Sequence, residues 1–325
     1  MPSLLKSFKR HWRIVANLTI SAGVFSFLLY RFGDAALFRK LARADLPTIS
    51  LAVLVVAGLS IIHLARWRVA LKQLSADIGS VNGLRLLFVG YFFNQTLPSS
   101  VGGDVFRIWL TNRTGVALRS AVASVLADRI AALLGLFALC IVLAPFISGI
   151  LGMPAALQIV AACLLLLAAA GLFIVWGNRL LRLFASFAPL RHLADLVGSL
   201  RLVFGKIAPA AKMIALSALI HFIGGFSVFL IAKSIGITIA AMTCISLFPF
   251  IILATVLPIS FAGWGVREGA AILAFGLVGV SPEDALSISV LLGVVLAING
   301  IPGGILWLFK MHSAVPDQIE QQARH

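Results

Sequence analysis

Three acidic residues stand where a carboxylate is costly. Asp104, Asp128 and Glu268 fall in or beside apolar stretches, whereas the other acidic residues fall mostly in loops or tails. Each has an arginine close by in sequence: Arg107, Arg129 and Arg267. An ionisable group at membrane depth faces a bundle interior or a polar path, and it marks a functional site by default. A guanidinium is a fork that matches phosphate oxygens. A helix N-terminus adds unpaired backbone N–H groups. Arg107 and Arg267 each lie about one turn past a Gly-containing break, so together these features make an anion site suited to a lipid phosphate. Asp104, Asp128 and Glu268 then either orient the arginines, read an amine on the same headgroup, or serve only as structural counter-ions. Asp104 follows Gly102 and Gly103, which also fits a helix N-cap.

The sequence around these charges is broken in a patterned way. LPSSVGGDVFR at 97–107 and LPISFAGWGVR at 257–267 share Leu, Pro, Ser, Gly and Arg at an ungapped offset of 160 residues. Pro98 and Pro258 are expected to end the first arm of each break. Gly102, Gly103, Gly263 and Gly265 allow sharp turns and close approach. Asn94, one turn before Pro98, either lines the same cavity or bonds backbone freed by the proline. Arg66, Trp67 and Arg68 read as the end of a span, snorkelling into headgroups. His221 reads as a satisfied core histidine, and Tyr91 and Trp264 as packing residues. No Walker, Rossmann, zinc-cluster or nucleophile-elbow pattern occurs. No catalytic residue, metal or cofactor is therefore expected.

Composition sets the medium. Of 325 residues, 61% are hydrophobic and 11% charged, against roughly 25% charged in soluble domains. The mean hydropathy is +1.08. The chain is a polytopic membrane protein, and its net charge of +15 reflects topology signals and anionic lipid rather than nucleic acid. The three cysteines lie in apolar runs and read as small hydrophobes.

The elements that must position the charges follow from length. Runs near 14–30, 46–65, 118–144, 154–176, 212–232 and 284–309 are long enough to cross. Segments 84–115 and 244–277 instead hold two short arms each, about 20 Å long against a hydrocarbon core of about 30 Å. They read as re-entrant hairpins, which are tolerated only where buried or lining a cavity. The fold expected is an all-α membrane domain over 1–320, built of two inverted halves at about 12–145 and 153–310. The amphipathic connector 177–211 packs under the bundle or along the cytoplasmic lipid surface, or else is a solvated linker. With both termini cytoplasmic, 19 of the 26 Lys and Arg fall inside. The misfit is 31–45, which carries Arg31, Arg39, Lys40 and Arg43 on the outer side.

FFNQTLPSSVGGDVFR (92–107), SVLADRIAALLG (124–135) and GWGVREGA (263–270) together resemble the bacterial lysylphosphatidylglycerol synthase transmembrane, or flippase-like, family. The matching positions are Asn94, Pro98, Gly102, Gly103, Asp104, Arg107, Asp128, Arg129, Gly265, Arg267 and Glu268. The resemblance implies a region that moves aminoacylated phosphatidylglycerol between leaflets, with synthase activity in a separate soluble domain. Only about fifteen residues follow the last span here, so lysyl transfer is not expected. The expectation is a flippase of the bacterial inner membrane moving an anionic or zwitterionic lipid. The alternative is an accessory protein of an envelope-lipid complex, such as a hopanoid or glycolipid pathway. A lipid-phosphate transferase is a third reading, without a recognised donor site.

Overall fold

Asp45 starts the first long helix, α1 (Leu46–Gln73), its carboxylate accepting from the Thr48 N–H at 3.1 Å. Pro47 sits in the first turn, where a missing N–H is harmless. The helix runs to Gln73, eight residues beyond the expected end of the span. The computed structural model describes residues 26, 30, 40, 42–97, 102–183, 188–256 and 262–310. Among these residues all regular structure is helical. The expected span at 14–30 lies outside them except for residues 26 and 30, and Pro98 and Pro258 lie outside them too.

Two sets of four helices follow the same order. After α1 come α2 (Ser80–Thr96), α3 (Gly102–Arg113) and α4 (Leu118–Val142), with lengths of 28, 17, 12 and 25 residues. The bridging helices are α5 (Ala144–Leu151), α6 (Met153–Leu183) and α7 (Ala188–Phe204). The second set is α8 (Ile207–Ser234), α9 (Ala241–Val256), α10 (Val266–Gly276) and α11 (Pro282–Lys310), with 28, 16, 11 and 29 residues. Helices α1, α4, α6, α8 and α11 are long and apolar enough to cross a membrane. The chain is thus an all-α polytopic protein with five candidate spans among the described residues.

Cross-links at the helix ends sort the connections. The Asp45 N–H donates to the Ser234 carbonyl at 2.8 Å, so the start of α1 meets the end of α8. Lys40 pairs with Asp284 in the first turn of α11, which brings part of the basic 31–45 segment to an acidic partner at that same end. At the start of α4, Arg119 reaches α7, donating to the Asp195 carbonyl at 2.6 Å and to Ser199 Oγ at 3.1 Å. Leu200 and Val203 of α7 are buried with Ala70, Ala127 and Met213. The connector therefore packs against the bundle with one face, which disposes of the solvated-linker alternative for this stretch.

The last helix runs as one element through Asn299, Pro302 and the glycines. The Asn299 amide donates to the Val295 carbonyl at 2.9 Å. Helix α11 crosses α2 tightly, since a methyl group on Gly303 would collide with the Phe88 carbonyl. Beside this crossing Phe93 stacks on Phe106 at 3.6 Å, and Trp307 meets both rings edge-on at 5.1 and 5.4 Å. Both arms of the first helical pair are thereby fixed to the far end of the chain.

Candidate functional site

Helices α1, α3 and α4 bring five charges together. Asp128 accepts from Arg66 Nε at 2.7 Å and from both Nη atoms of Arg107 at 3.3 Å. Asp104 accepts from Arg129 Nε at 2.6 Å and Nη2 at 2.8 Å, and faces Arg107 Nη1 at 3.4 Å. The cluster holds three guanidiniums and two carboxylates, a net charge of +1. Four of its members are buried, while the Arg129 side chain is 49% exposed. Arg129 is paired with Asp104 through two short bonds, while Arg66 and Arg107 share Asp128, so Arg129 is the exposed edge of a cluster that carries one positive charge as a whole.

Arg66 and Trp67 correct the sequence reading. They do not snorkel to an interface. Arg66 is buried and also donates to Ser217 Oγ on α8 at 3.0 Å. Trp67 is fully buried, donates to Ser124 Oγ at 3.1 Å, and carries Arg107 over its ring at 4.3 Å. Arg66 lies seven residues before the end of α1, about 10 Å along the axis. The extra turns of α1 are what bury it. Asp104 likewise is no N-cap: it is the third residue of α3 and spends its carboxylate on arginines. Its place in the first turn still suits the helix dipole.

Asn94 ties the break together, its Oδ1 accepting from the Gly103 N–H at 3.0 Å. Gly103 touches α2 so closely that a methyl would collide with the Gly90 carbonyl and lie 2.6 Å from Asn94 Oδ1. Gly102 faces Leu97 in the same way. Gly103→Ala is expected to cost about 1–3 kcal/mol, as overpacking does. It would read as a lower unfolding midpoint in detergent, whereas Gly115→Ala, in open space, would show only the backbone penalty of its positive φ.

The second break has different chemistry. Arg267 and Glu268 pair at 2.7 Å and are 2% and 0% exposed. Glu268 also accepts from the Gly265 N–H at 2.6 Å and from Ser289 Oγ at 3.1 Å. Arg267 lies over Trp264 at 4.7 Å. Gly263 and Gly265 turn the chain with φ of 81° and 86°. This pair is neutral and sealed, and among the described residues no hydrogen bond or ion pair joins it to the five-charge cluster. An apolar crevice of about 380 Å³ lies between α5, α9 and α10.

A cavity of about 220 Å³ with a mostly apolar lining opens between α1, α2 and α11, where Val56, Leu59 and Leu296 meet His63, Tyr91, Asn94, Gln95 and Asn299. The Tyr91 hydroxyl and His63 Nδ1 lie 3.0 Å apart. Sequence reading missed His63, and it left Tyr91 as packing. His221 is the satisfied core histidine expected, with Nε2 3.0 Å from the Ala132 carbonyl.

Fold and site together define a helical integral-membrane protein with a buried charge cluster at the first break. Residues 14–303 match the family described as the lysylphosphatidylglycerol synthase TM region, and the chain belongs to that family. No curated protein matches it in sequence. The chain is therefore a lipid-handling, multi-pass protein of the bacterial inner membrane.

Proposed function

We propose that the protein moves an anionic or zwitterionic phospholipid between leaflets, with the headgroup at the first break and the tails left in lipid. The observation that carries this reading is the cluster's net charge of +1, with the half-exposed Arg129 at its edge. An anionic phosphate is the group that neutralises it, and Arg107 and Arg129 offer forks for its oxygens. Asp104 and Asp128 orient those forks, while Asn94 and Gly103 hold the break in shape. Arg267 and Glu268 serve as the structural counterpart in the second half.

The proposed architecture is two inverted halves with hairpins α2–α3 and α9–α10 entering from opposite sides. The repeated helix order and the end-to-end cross-links support it. On this reading the Lys40–Asp284 end is outside, and the α7 end and both termini are cytoplasmic, following the positive-inside rule.

Reconstitution tests the proposal. Vesicles holding a tail-labelled anionic lipid are treated with a membrane-impermeant quencher. With the wild-type protein, quenching should pass from about half of the label, the outer leaflet, to nearly all of it. Quenching that stays at half in protein-containing vesicles defeats the proposal. Charge substitutions that change protein abundance but not flipping per molecule would favour an accessory role instead.

A further inference from the structure

One face of α1 joins the cavity to the charge cluster. Val56, Leu59 and His63 line the cavity at the spacing of a single helical face. Arg66 is the next residue on that face, one turn and about 4.5 Å further along the axis. It pairs with Asp128 at 2.7 Å, and Asp128 is shared with Arg107. His63 thus stands between an open space and a buried ionic network. It is part-buried rather than sealed, and its Nδ1 lies 3.0 Å from the Tyr91 hydroxyl on the same cavity wall. The two rings meet edge-on at 5.9 Å, and Phe88 meets Tyr91 in the same way at 5.9 Å, so the pair is held in place. Gly90, the residue before Tyr91, packs against the Arg107 side chain. The titratable and charged groups around the imidazole are therefore Tyr91 on α2, Arg66 on α1, Asp128 on α4 and Arg107 on α3, with Arg129 and its partner Asp104 beyond them. Helix α11 meets the cavity with Leu296 and Asn299. Helix α8 presents Ser217 to Arg66 and turns His221 to the Ala132 carbonyl. Helix α7 packs near the end of α1 through Leu200 and Val203. An ionisable side chain at membrane depth points to function, and histidine is the side chain that exchanges a proton near neutral pH.

We propose that His63 is a proton-binding site coupled to the anion site, so that an anionic headgroup and a proton load together and cross as a neutral unit. A proton from water in the cavity adds to the imidazole lone pair and gives the imidazolium, and no other bond changes. At about 220 Å³ the cavity has room for several waters. The Tyr91 phenol serves both forms, since it donates to a neutral ring nitrogen and accepts from a protonated one. The coupling is Coulombic. A proton on His63 adds positive charge beside a cluster that already carries +1, and an anion at the cluster cancels one charge. Each ligand therefore favours the other, and linkage makes the effect reciprocal. The carboxylates are unsuited to the task. Asp104 and Asp128 hold arginines, and a proton on either would strip a buried guanidinium of its partner. This inference rests on the reading that the first break handles an anionic lipid headgroup, and it deepens that reading by naming the ion that travels with it.

Proton uptake on lipid binding tests it without requiring transport. The full chain in a neutral detergent, weakly buffered with a pH indicator, is mixed with phosphatidylglycerol, and bound lipid is counted by native mass spectrometry. Uptake should approach one proton per bound lipid within about pH 5 to 8, the range in which histidine titrates. Across that range lipid affinity should rise by up to about tenfold for each unit by which the pH is lowered, the slope that one proton sets. Phosphatidylglycerol keeps its charge throughout, so the proton goes to the protein. His63→Gln should abolish the uptake and flatten the pH dependence while lipid still binds. Tyr91→Phe keeps the imidazole, so uptake should persist with a moved midpoint, a change that a packing role alone would not produce. Where a variant does not stay monodisperse, the imidazole nitrogen shifts of the wild-type protein, followed by NMR with and without lipid, read the same coupling. Lipid binding without proton uptake, or uptake unchanged in His63→Gln, overturns the proposal and leaves the flippase reading standing. Uptake with binding but without flipping removes only the transport reading. A chain that binds no phosphatidylglycerol at any pH removes both.

Discussion

Asp128→Ala is expected to lower stability by about 3–5 kcal/mol, because it leaves Arg66 and Arg107 buried without their shared partner. Membership in a total stability of about 5–15 kcal/mol makes that loss visible as reduced abundance and a lower unfolding midpoint. The penalty belongs to the unpaired charges rather than to the lost bonds. A buried ion pair replaced whole by apolar groups of similar size is often neutral. Arg66→Met combined with Asp128→Leu should therefore recover much of the loss, and it keeps the cluster at +1. Recovery is read by the same unfolding transition. If the double variant is as unstable as Asp128→Ala, the explanation by unpaired charge is wrong, and the geometry of Asp128 itself must matter.

The same network shows what the sequence could disclose. Asp104, Arg107, Asp128 and Arg129 were legible because a charge in an apolar run is conspicuous, whatever its partner. Their pairing was not. Asp128 and Arg129 are adjacent in sequence, but neighbours on a helix point about 100° apart. Each instead reaches a residue on another helix, Asp128 to Arg66 and Arg107, Arg129 to Asp104. Arg66 was hidden by an end effect, since a basic residue past twenty apolar ones looks like an interface anchor until the helix continues. The 160-residue offset brings the second set of four helices onto the first in the same order. Their unequal chemistry was written in that offset too. Position 104 falls on Trp264, and Glu268 falls on Ile108, so the matched arginines have their acids on opposite sides in sequence. In the first break the acid three residues earlier recruits a third arginine from α4. In the second the adjacent acid closes on its own arginine and on the start of α10.

That inequality makes Arg129 the substitution with the largest functional effect. Arg129→Gln removes the surplus charge and leaves two guanidiniums facing two carboxylates, a neutral cluster with nothing to offer an anion. A charge-assisted hydrogen bond is worth about 1.5–3 kcal/mol, so flipping of an anionic lipid should fall roughly tenfold to a hundredfold. The fold should suffer less than from Asp128→Ala, because Arg129 is half-exposed and Asp104 keeps Arg107. Arg129→Lys restores the charge without the fork and should fall between the two. Asp104→Asn gives the sharper contrast. It weakens the break by removing a buried carboxylate, yet it releases Arg129 and raises the cluster to +2. Stability should therefore drop while retention of anionic lipid per folded molecule holds or rises. Binding and stability move in opposite directions only if Arg129 serves the ligand. If Arg129→Gln and Asp104→Asn both lose lipid in proportion to lost stability, the arginine is a strut, and the anion site must be sought elsewhere in the membrane domain.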